Sequence, residues 1–263
     1  MTNYQTILYE TESGVARVIL NRPEALNAMT NTMFIEIGQA LDQAEQDSDV
    51  KVVVVSGKGK AFCAGADLKA AGEGQTSLHA QWEFCRLGNR TVLEKIENLD
   101  KPVIAAIHGY CLAGGFEILL ACDLVISAED AVIADQHINI GAIGAGGSPY
   151  RLAVLVGLRK AKEIVLMGKR LSGKEAAAIG LVNLAVPRDK LESTVSEIAV
   201  GMAQKSPVAM RISKAIMNRT VYIDAAARLE LVMLYALFNN GSGDFQEGVQ
   251  AFNEKRKPVF KGV

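Results

Sequence analysis

A chain of 263 residues with 49% hydrophobic and 22% charged residues has the balance of a globular protein and enough length for a sizeable core. Its net charge of −1 offers no electrostatic pull toward nucleic acid or an anionic membrane, and no stretch approaches the length of a membrane span. Cys63, Cys85, Cys111 and Cys122 lack CxxC spacing and sit among apolar or small residues, so reduced buried thiols and a cytoplasmic setting are expected. The N-terminus has neither a basic start nor an apolar signal core.

In chain order, Val15 to Leu20 is a β-branched run closed by a turn at Asn21-Arg22-Pro23. Met33, Phe34, Ile37, Ala40, Leu41 and Ala44 recur at helical spacing and predict a helix over 30–46, with Thr30 as its cap. Val50 to Val55 reads as a strand covered on both faces. A second helix is predicted from about Leu78 to Glu97, and the small, polar stretch from Lys69 to Ser77 before it as a mobile loop. Pro102 to Ile107 is a strand and Gly114 to Cys122 a short apolar helix. Leu124 to Ser127 and Ala131 to Ala134 are two more strands. Composition changes near Gly141. A glycine-rich turn, Gly141 to Gly147, is followed by helices over 152–156, 160–167, 190–204, 208–218 and 225–238. Alternating strands and helices predict an α/β architecture. Residues 1–190 are taken as its core and residues 191–263 as a helical C-terminal region of the same unit.

Two segments carry the chemistry: Phe62-Cys63-Ala64-Gly65-Ala66-Asp67-Leu68 and His108-Gly109-Tyr110-Cys111-Leu112-Ala113-Gly114-Gly115-Phe116-Glu117. Each follows an apolar run and replaces bulky side chains with Gly and Ala where the chain turns. Bare backbone N–H groups can then approach a ligand, and two such turns suggest two donors converging on one oxygen, an oxyanion hole for acyl chemistry. Glu117 falls in the first turn of an apolar helix. A helix dipole explains many first-turn carboxylates. It explains this one poorly, because burying a lone carboxylate is costly, and Glu117 is the leading general acid–base candidate. His108 reads as packing, His79 as solvated, and Trp82, Phe84 and Cys85 as core or as the lining of an acyl pocket. No His/Cys/Asp cluster has metal-ligand spacing. A Gly-x-Ser-x-Gly elbow and the Lys-Ser/Thr of a P-loop are both missing.

Those two segments, together with Asn21-Arg22-Pro23-Glu24-Ala25-Leu26-Asn27-Ala28-Met29, Gly144-Ala145-Gly146-Gly147 and Phe252-Asn253-Glu254-Lys255-Arg256-Lys257-Pro258, make the chain resemble the enoyl-CoA hydratase/isomerase superfamily, the crotonases, from end to end. The resemblance implies an α/β spiral of ββα units with a helical C-terminal trimerisation region, the trimers often paired into hexamers. It implies an acyl-CoA thioester as ligand, with no cofactor beyond the CoA moiety of the substrate and no metal. The oxyanion donors would be the N–H groups of Ala66 and Gly114. The coenzyme would lie against Arg22, Ala25, Leu26, Ala64, Asp67 and Leu68, with Phe252 and Lys255 reaching its nucleotide end, often from a neighbouring subunit.

The chain departs from the family pattern at one point. The hydratases of the family use two glutamates to grip a water, the first matching Glu117. The second falls in Asp135-Gln136-His137-Ile138-Asn139-Ile140-Gly141. Counted from Gly141 its place is taken by His137, and counted from Gly144-Ala145-Gly146-Gly147 by Gln136. The proline common before that glycine run is also absent. Histidine has a natural pKa for proton transfer near neutrality, so hydration of a 2-enoyl-CoA would survive with Glu117 as base and His137 as proton donor or water anchor. Isomerisation, thioester hydrolysis and decarboxylation from the same enolate remain open, as does a non-catalytic CoA- or RNA-binding role. The mixed charges of the Leu78–Glu97 segment argue against RNA. Asp135 would turn the same way as His137 only along a regular strand.

Overall fold

The computed structural model describes residues 4–67, 77–221 and 225–263. Strands β1 (Ile7–Glu12) and β2 (Val15–Leu20) form an antiparallel hairpin, and β2 then pairs in parallel with β3 (Val52–Gly57). Val52 to Val55 are buried at 0–1% exposure. An unbroken β-branched run is what a parallel strand covered on both faces requires. Parallel pairing continues through β5 (Val103–Ile107), β7 (Leu124–Ala128) and β10 (Leu184–Val186), giving a six-stranded sheet in the order β1-β2-β3-β5-β7-β10. A second sheet collects β4 (Ala61–Cys63), β6 (Tyr110–Leu112), β8 (Val132–Ala134) and the antiparallel β9 (Leu171–Ser172).

The two sheets are generated by one repeating device. Each turn of the chain lays one strand in the large sheet, the next in the small sheet, and then enters a helix: β3 and β4 before Leu78–Gly88, β5 and β6 before Gly114–Ala121, β7 and β8 before Ser148–Val156. This is the spiral of ββα units read from the sequence. It stacks the β4, β6 and β8 ends side by side, so the segments that follow those strands meet in space.

The Asn31–Gln46 helix buries Met33, Phe34, Ile37, Ala40, Leu41 and Ala44, the predicted stripe. Its cap is Thr30, whose hydroxyl accepts from the Met33 N–H at 3.3 Å, a contact worth about 1 kcal/mol. The Leu191–Ala203 helix packs across β2, β3, β5 and β7. Three helices end the chain, Pro207–Thr220, Ala225–Asn240 and Gly243–Asn253, and the first is tied to the core by Lys214. Its buried ammonium donates to the carbonyls of Ile96 (2.7 Å) and Lys101 (3.2 Å) and pairs with Asp123 at 2.7 Å. Removing one partner of such a buried pair costs about 3–5 kcal/mol. The Ala225–Asn240 helix leaves Leu229, Met233, Leu234, Leu237 and Phe238 exposed.

Two expectations change. The helix predicted over 78–97 is Leu78–Gly88 and Glu94–Asn98 joined by a π-helical turn, Asn89–Leu93, a widening that periodicity does not register. The short strands β4, β6, β9 and β10 and the helix Gly173–Ala178 were not separated from their flanking turns. The expected strand ending at Ala134 is present, and Asp135 and His137 share no regular strand face, because Gln136 takes φ 61° and a 3₁₀ turn begins at His137. Leu68 and the stretch 69–76 of the expected mobile loop lie outside the described residues. Ser77, at its end, caps the Leu78–Gly88 helix through its hydroxyl.

Candidate active site

The first glycine turn is held by the 22–29 segment. Asn27, fully buried, accepts from the Arg22 N–H at 2.8 Å and donates to the carbonyls of Lys58 (2.9 Å) and Ala61 (2.8 Å). Met29 then bridges Ala66 in parallel: its N–H donates to Gly65 O at 2.8 Å and its carbonyl accepts from Asp67 N–H at 2.9 Å. This pattern consumes the amides on either side and turns the Ala66 N–H away from Met29.

The second turn is braced more tightly. Ala113 donates to Ala134 O at 3.1 Å and adopts φ 48°, ψ −116°. Such a backbone costs a non-glycine residue about 1–3 kcal/mol and persists only where neighbours over-determine it. It stands at the cap of the Gly114–Ala121 helix, whose first N–H groups have no intrahelical partner. The two turns touch. A Cβ on Gly65 (φ 103°) would lie 2.8 Å from the Ala113 Cβ and 3.4 Å from the Gly114 nitrogen, and one on Gly114 would lie 3.9 Å from the Ala66 nitrogen. Glycine at both positions is what lets the two amides share one small volume. Gly115 completes the fit, since a Cβ there would reach Cys63 O at 2.4 Å.

One helical turn on, Glu117 is 7% exposed, and its Oε1 is buried with no hydrogen-bond partner among the described residues. Burial pushes its pKa up, opposed by His137 and by the N–H groups of Ser148 and Gly146, which face the carboxylate. The glycine-rich turn exists to admit it: a Cβ on Gly146 would lie 2.5 Å from Glu117 Oε2, and one on Gly144 would lie 2.9 Å from Oε1.

His137 stands beside this carboxylate. Its Nδ1 pairs with Asp135 Oδ1 at 3.0 Å, and the Ser148 hydroxyl donates to the other oxygen of Asp135. Burial would lower the His137 pKa, but the hydrogen bond and charge of Asp135, aided by Glu117, raise it. Burial likewise pushes Asp135 up, and its bonds from His137 and Ser148 bring it net below the usual carboxylate range. With Nδ1 engaged, Nε2 is the nitrogen left for other partners. Gln136 also lines the cavity, with its amide donating to Gly168 O at 3.1 Å and accepting from Asn139 and Arg170, each at 3.2 Å. Of the two residues competing for the second glutamate's place, His137 carries the imidazole that interacts with Glu117.

Ala64, Ala66, Gly114, Glu117 and His137 line a single cavity of about 800 Å³, with Met29, Phe34, Phe84, Val92, Leu93 and Ile118 among its apolar walls. Cys85 also lines it, whereas Trp82 is 59% exposed and does not. Beside its mouth Arg22 pairs with Asp67 at 3.0 Å. Ala25 and Leu26 adjoin without lining it, Leu26 accepting from the Ala64 N–H at 3.0 Å. Phe252, 84% exposed, and Lys255 lie on the C-terminal segment and are not brought to the cavity within one chain. His108 is packed, its Nε2 3.2 Å from Gly59 O, and His79 is exposed.

The sequence reading missed the supports. Ser148 orients Asp135. Arg151, nearly buried, forms a two-pronged bridge with Glu97 (2.7 and 2.8 Å) and donates to Gly146 O, clamping the glycine-rich turn. Asn89 of the π turn donates to Ala145 O at 3.1 Å. The only signal for them was their place, immediately after the glycines or on the facing helix. Among the described residues no group of His, Cys, Asp and Glu is arranged to hold a metal, and no helix is long and apolar enough to cross a membrane.

A family model described as Enoyl-CoA hydratase/isomerase matches residues 10–263. The chain is 37% identical to a probable enoyl-CoA hydratase of Bacillus subtilis, covering 94% of this chain and 95% of that protein. It is 34% identical to the peroxisomal Delta(3,5)-Delta(2,4)-dienoyl-CoA isomerase of Arabidopsis thaliana, covering 99% and 98%. The crystal structure of an enoyl-CoA hydratase from Bacillus anthracis superposes with a TM-score of 0.94 at 34% identity, covering 98% of this chain and all of the other. With the spiral fold and a matching model over nearly its whole length, the chain belongs to the enoyl-CoA hydratase/isomerase (crotonase) family of acyl-CoA enzymes.

Proposed function

We propose that this protein hydrates a 2-enoyl-CoA through a thioester enolate. The observation that carries the reading is the buried Glu117 carboxylate, its Oε1 without a partner among the described residues, in the same cavity as two abutting glycine turns, with a protonatable His137 beside it. The amides of Ala66 and Gly114 hold the thioester oxygen as negative charge develops there, aided by the positive end of the Gly114–Ala121 helix. Glu117 takes a proton from water as the water oxygen bonds to C3 of the acyl group. The C2–C3 π electrons move to the enolate, and C2 then takes a proton from His137 Nε2. Asp135 fixes the tautomer and stabilises the imidazolium. The coenzyme lies along Arg22, Ala25, Leu26, Ala64, Asp67 and Leu68. Phe252 and Lys255 serve a neighbouring subunit of a trimer or hexamer, whose contacts would cover the exposed apolar face of the Ala225–Asn240 helix. A double-bond shift needs the same enolate and one acid–base pair, so isomerisation is the second reading; the Arabidopsis relative bears that name.

Loss of the conjugated thioester absorbance on mixing with short and medium 2-enoyl-CoA esters, with a product heavier by one water, tests the reading. An unchanged product mass with a moved double bond would favour isomerisation. No turnover on any of them, with the protein folded and binding CoA esters, would exclude hydration.

The protonation states set a pH window. Glu117 must be ionised, and its pKa lies above the ordinary 4.5, so activity falls as the medium is acidified through that raised value. His137 must be protonated, and its pKa lies above 6.5, so activity falls on the alkaline side beyond it. The limbs belong to the coupled pair. Asp135→Asn removes the anion that raises His137 and should move the alkaline limb of kcat/KM to lower pH. His137→Gln should lower kcat about 10²-fold and abolish that limb. An alkaline limb unmoved in both variants would remove His137 from the mechanism.

A further inference from the structure

The cavity does not end in the bulk of the protein. Part of its wall is an aromatic pair, Phe34 from the Asn31–Gln46 helix and Phe84 from the Leu78–Gly88 helix, with ring centroids 4.9 Å apart and planes tilted by 56°. Phe34 is nearly buried and Phe84 half-buried. Gly88 makes room for the Phe34 ring: a Cβ there would stand 2.8 Å from its Cζ. Beyond Phe84 lies a separate groove of about 470 Å³, walled among the described residues by Ala80, Glu83, Arg86, Leu87, Arg90 and Thr91. Among the described residues Phe84 alone lines both spaces. Both spaces are lined mainly by apolar surface, and the outer groove adds the paired Glu83 and Arg86 at its edge.

We infer that Phe84 is the partition that sets the longest acyl chain the enzyme accepts, its ring closing the acyl cavity against the outer groove. Phe34 and Gly88 act as positioning residues that hold the ring across the opening. This rests on the reading that the apolar cavity takes the acyl group of a CoA ester. An acyl tail that fills the cavity packs against the two rings. A longer tail must displace the Phe84 ring from its packing against Phe34 before its methylenes can reach the outer groove.

The test is a chain-length profile measured twice on the purified full-length protein, as kcat/KM for 2-enoyl-CoA esters from C4 to C16 and as competition binding by the saturated acyl-CoA esters, which do not react. Phe84→Ala joins the two spaces. It should raise the ratio of long-chain to short-chain kcat/KM and affinity by at least about tenfold, the scale at which apolar pockets discriminate. Phe84→Trp, which needs no cavity to form, should shift both profiles toward shorter chains. Parallel profiles for wild type, Phe84→Ala and Phe84→Trp, each merely scaled, would overturn the inference. A shifted binding profile without turnover on any ester would leave the partition standing and remove the hydratase reading, so the two failures are distinguishable.

Discussion

Replacing Glu117 with Gln is expected to lower kcat on a 2-enoyl-CoA by about 10³-fold or more, with the fold and the affinity for saturated acyl-CoA esters unchanged. Gln is isosteric and keeps the packing against Gly144 and Gly146, where a Cβ would already be within 2.9 Å of the carboxylate. What it removes is the only buried carboxylate in the cavity with an oxygen lacking a partner among the described residues. The stability effect should run opposite to the activity effect. Burial raises the Glu117 pKa, so above that pKa the folded state bears a cost for holding the charge that the unfolded chain does not bear. The neutral amide escapes that cost. The variant should therefore unfold at the same temperature as the parent or above it near pH 7, and lose this advantage as the pH falls toward the ordinary carboxylate range. A thermal-unfolding series against pH, alongside single-turnover kinetics, reads both. A variant that is markedly less stable, or that keeps a tenth of the parental kcat, would contradict the role given to Glu117.

The second large effect is expected at Gly65. Gly65→Ala places a Cβ in a backbone conformation of φ 103° and 2.8 Å from the Ala113 Cβ. Both neighbours are backbone-fixed: Ala113 by its bond to Ala134 O and Gly65 by the Met29 bridge. Relief must come from separating the two turns, which moves the Ala66 and Gly114 amides apart. Loss of one oxyanion donor costs about 10²–10³ in kcat, and the strained backbone costs about 1–3 kcal/mol of stability. The diagnostic feature is the split: kcat should fall while KM changes little, because the amides strengthen their hold as charge develops and contribute less to ground-state binding. Gly115→Ala is the internal comparison. It presses on Cys63 O at 2.4 Å and should disturb the same helix from its other face, with a larger loss of stability relative to the loss of kcat.

What the sequence made legible was local. Val52 to Val55, the stripe from Met33 to Ala44 with its Thr30 cap, and the two Gly/Ala turns all signal through composition or period within a dozen residues. They sufficed for the α/β layering and for placing Glu117 in the first turn of an apolar helix. The residue in the place of the family's second glutamate was harder to read, because counting from two different glycine landmarks gave Gln136 or His137. The left-handed Gln136, φ 61°, breaks the strand alternation there. It turns the Gln136 amide to Gly168, Asn139 and Arg170, and lets Asp135 and His137 meet across two residues. No strand-parity argument anticipates that. Ser148, Arg151 and Glu97 were invisible for a different reason: Arg151 and Glu97 are 54 residues apart, and charged residues on separate helices carry no sequence sign of being paired. The π turn at Asn89–Leu93 was hidden by apolar spacing that suits an ordinary helix equally well.

The account turns on where a bound thioester places its carbonyl. A crystal structure with an unreactive saturated acyl-CoA tests this directly. The carbonyl oxygen should lie about 2.7–3.1 Å from both the Ala66 and the Gly114 nitrogen, with Glu117 facing the C2–C3 region and His137 Nε2 turned toward it. A carbonyl bound away from one or both amides, or an acyl group outside the cavity that holds Glu117, would contradict the account.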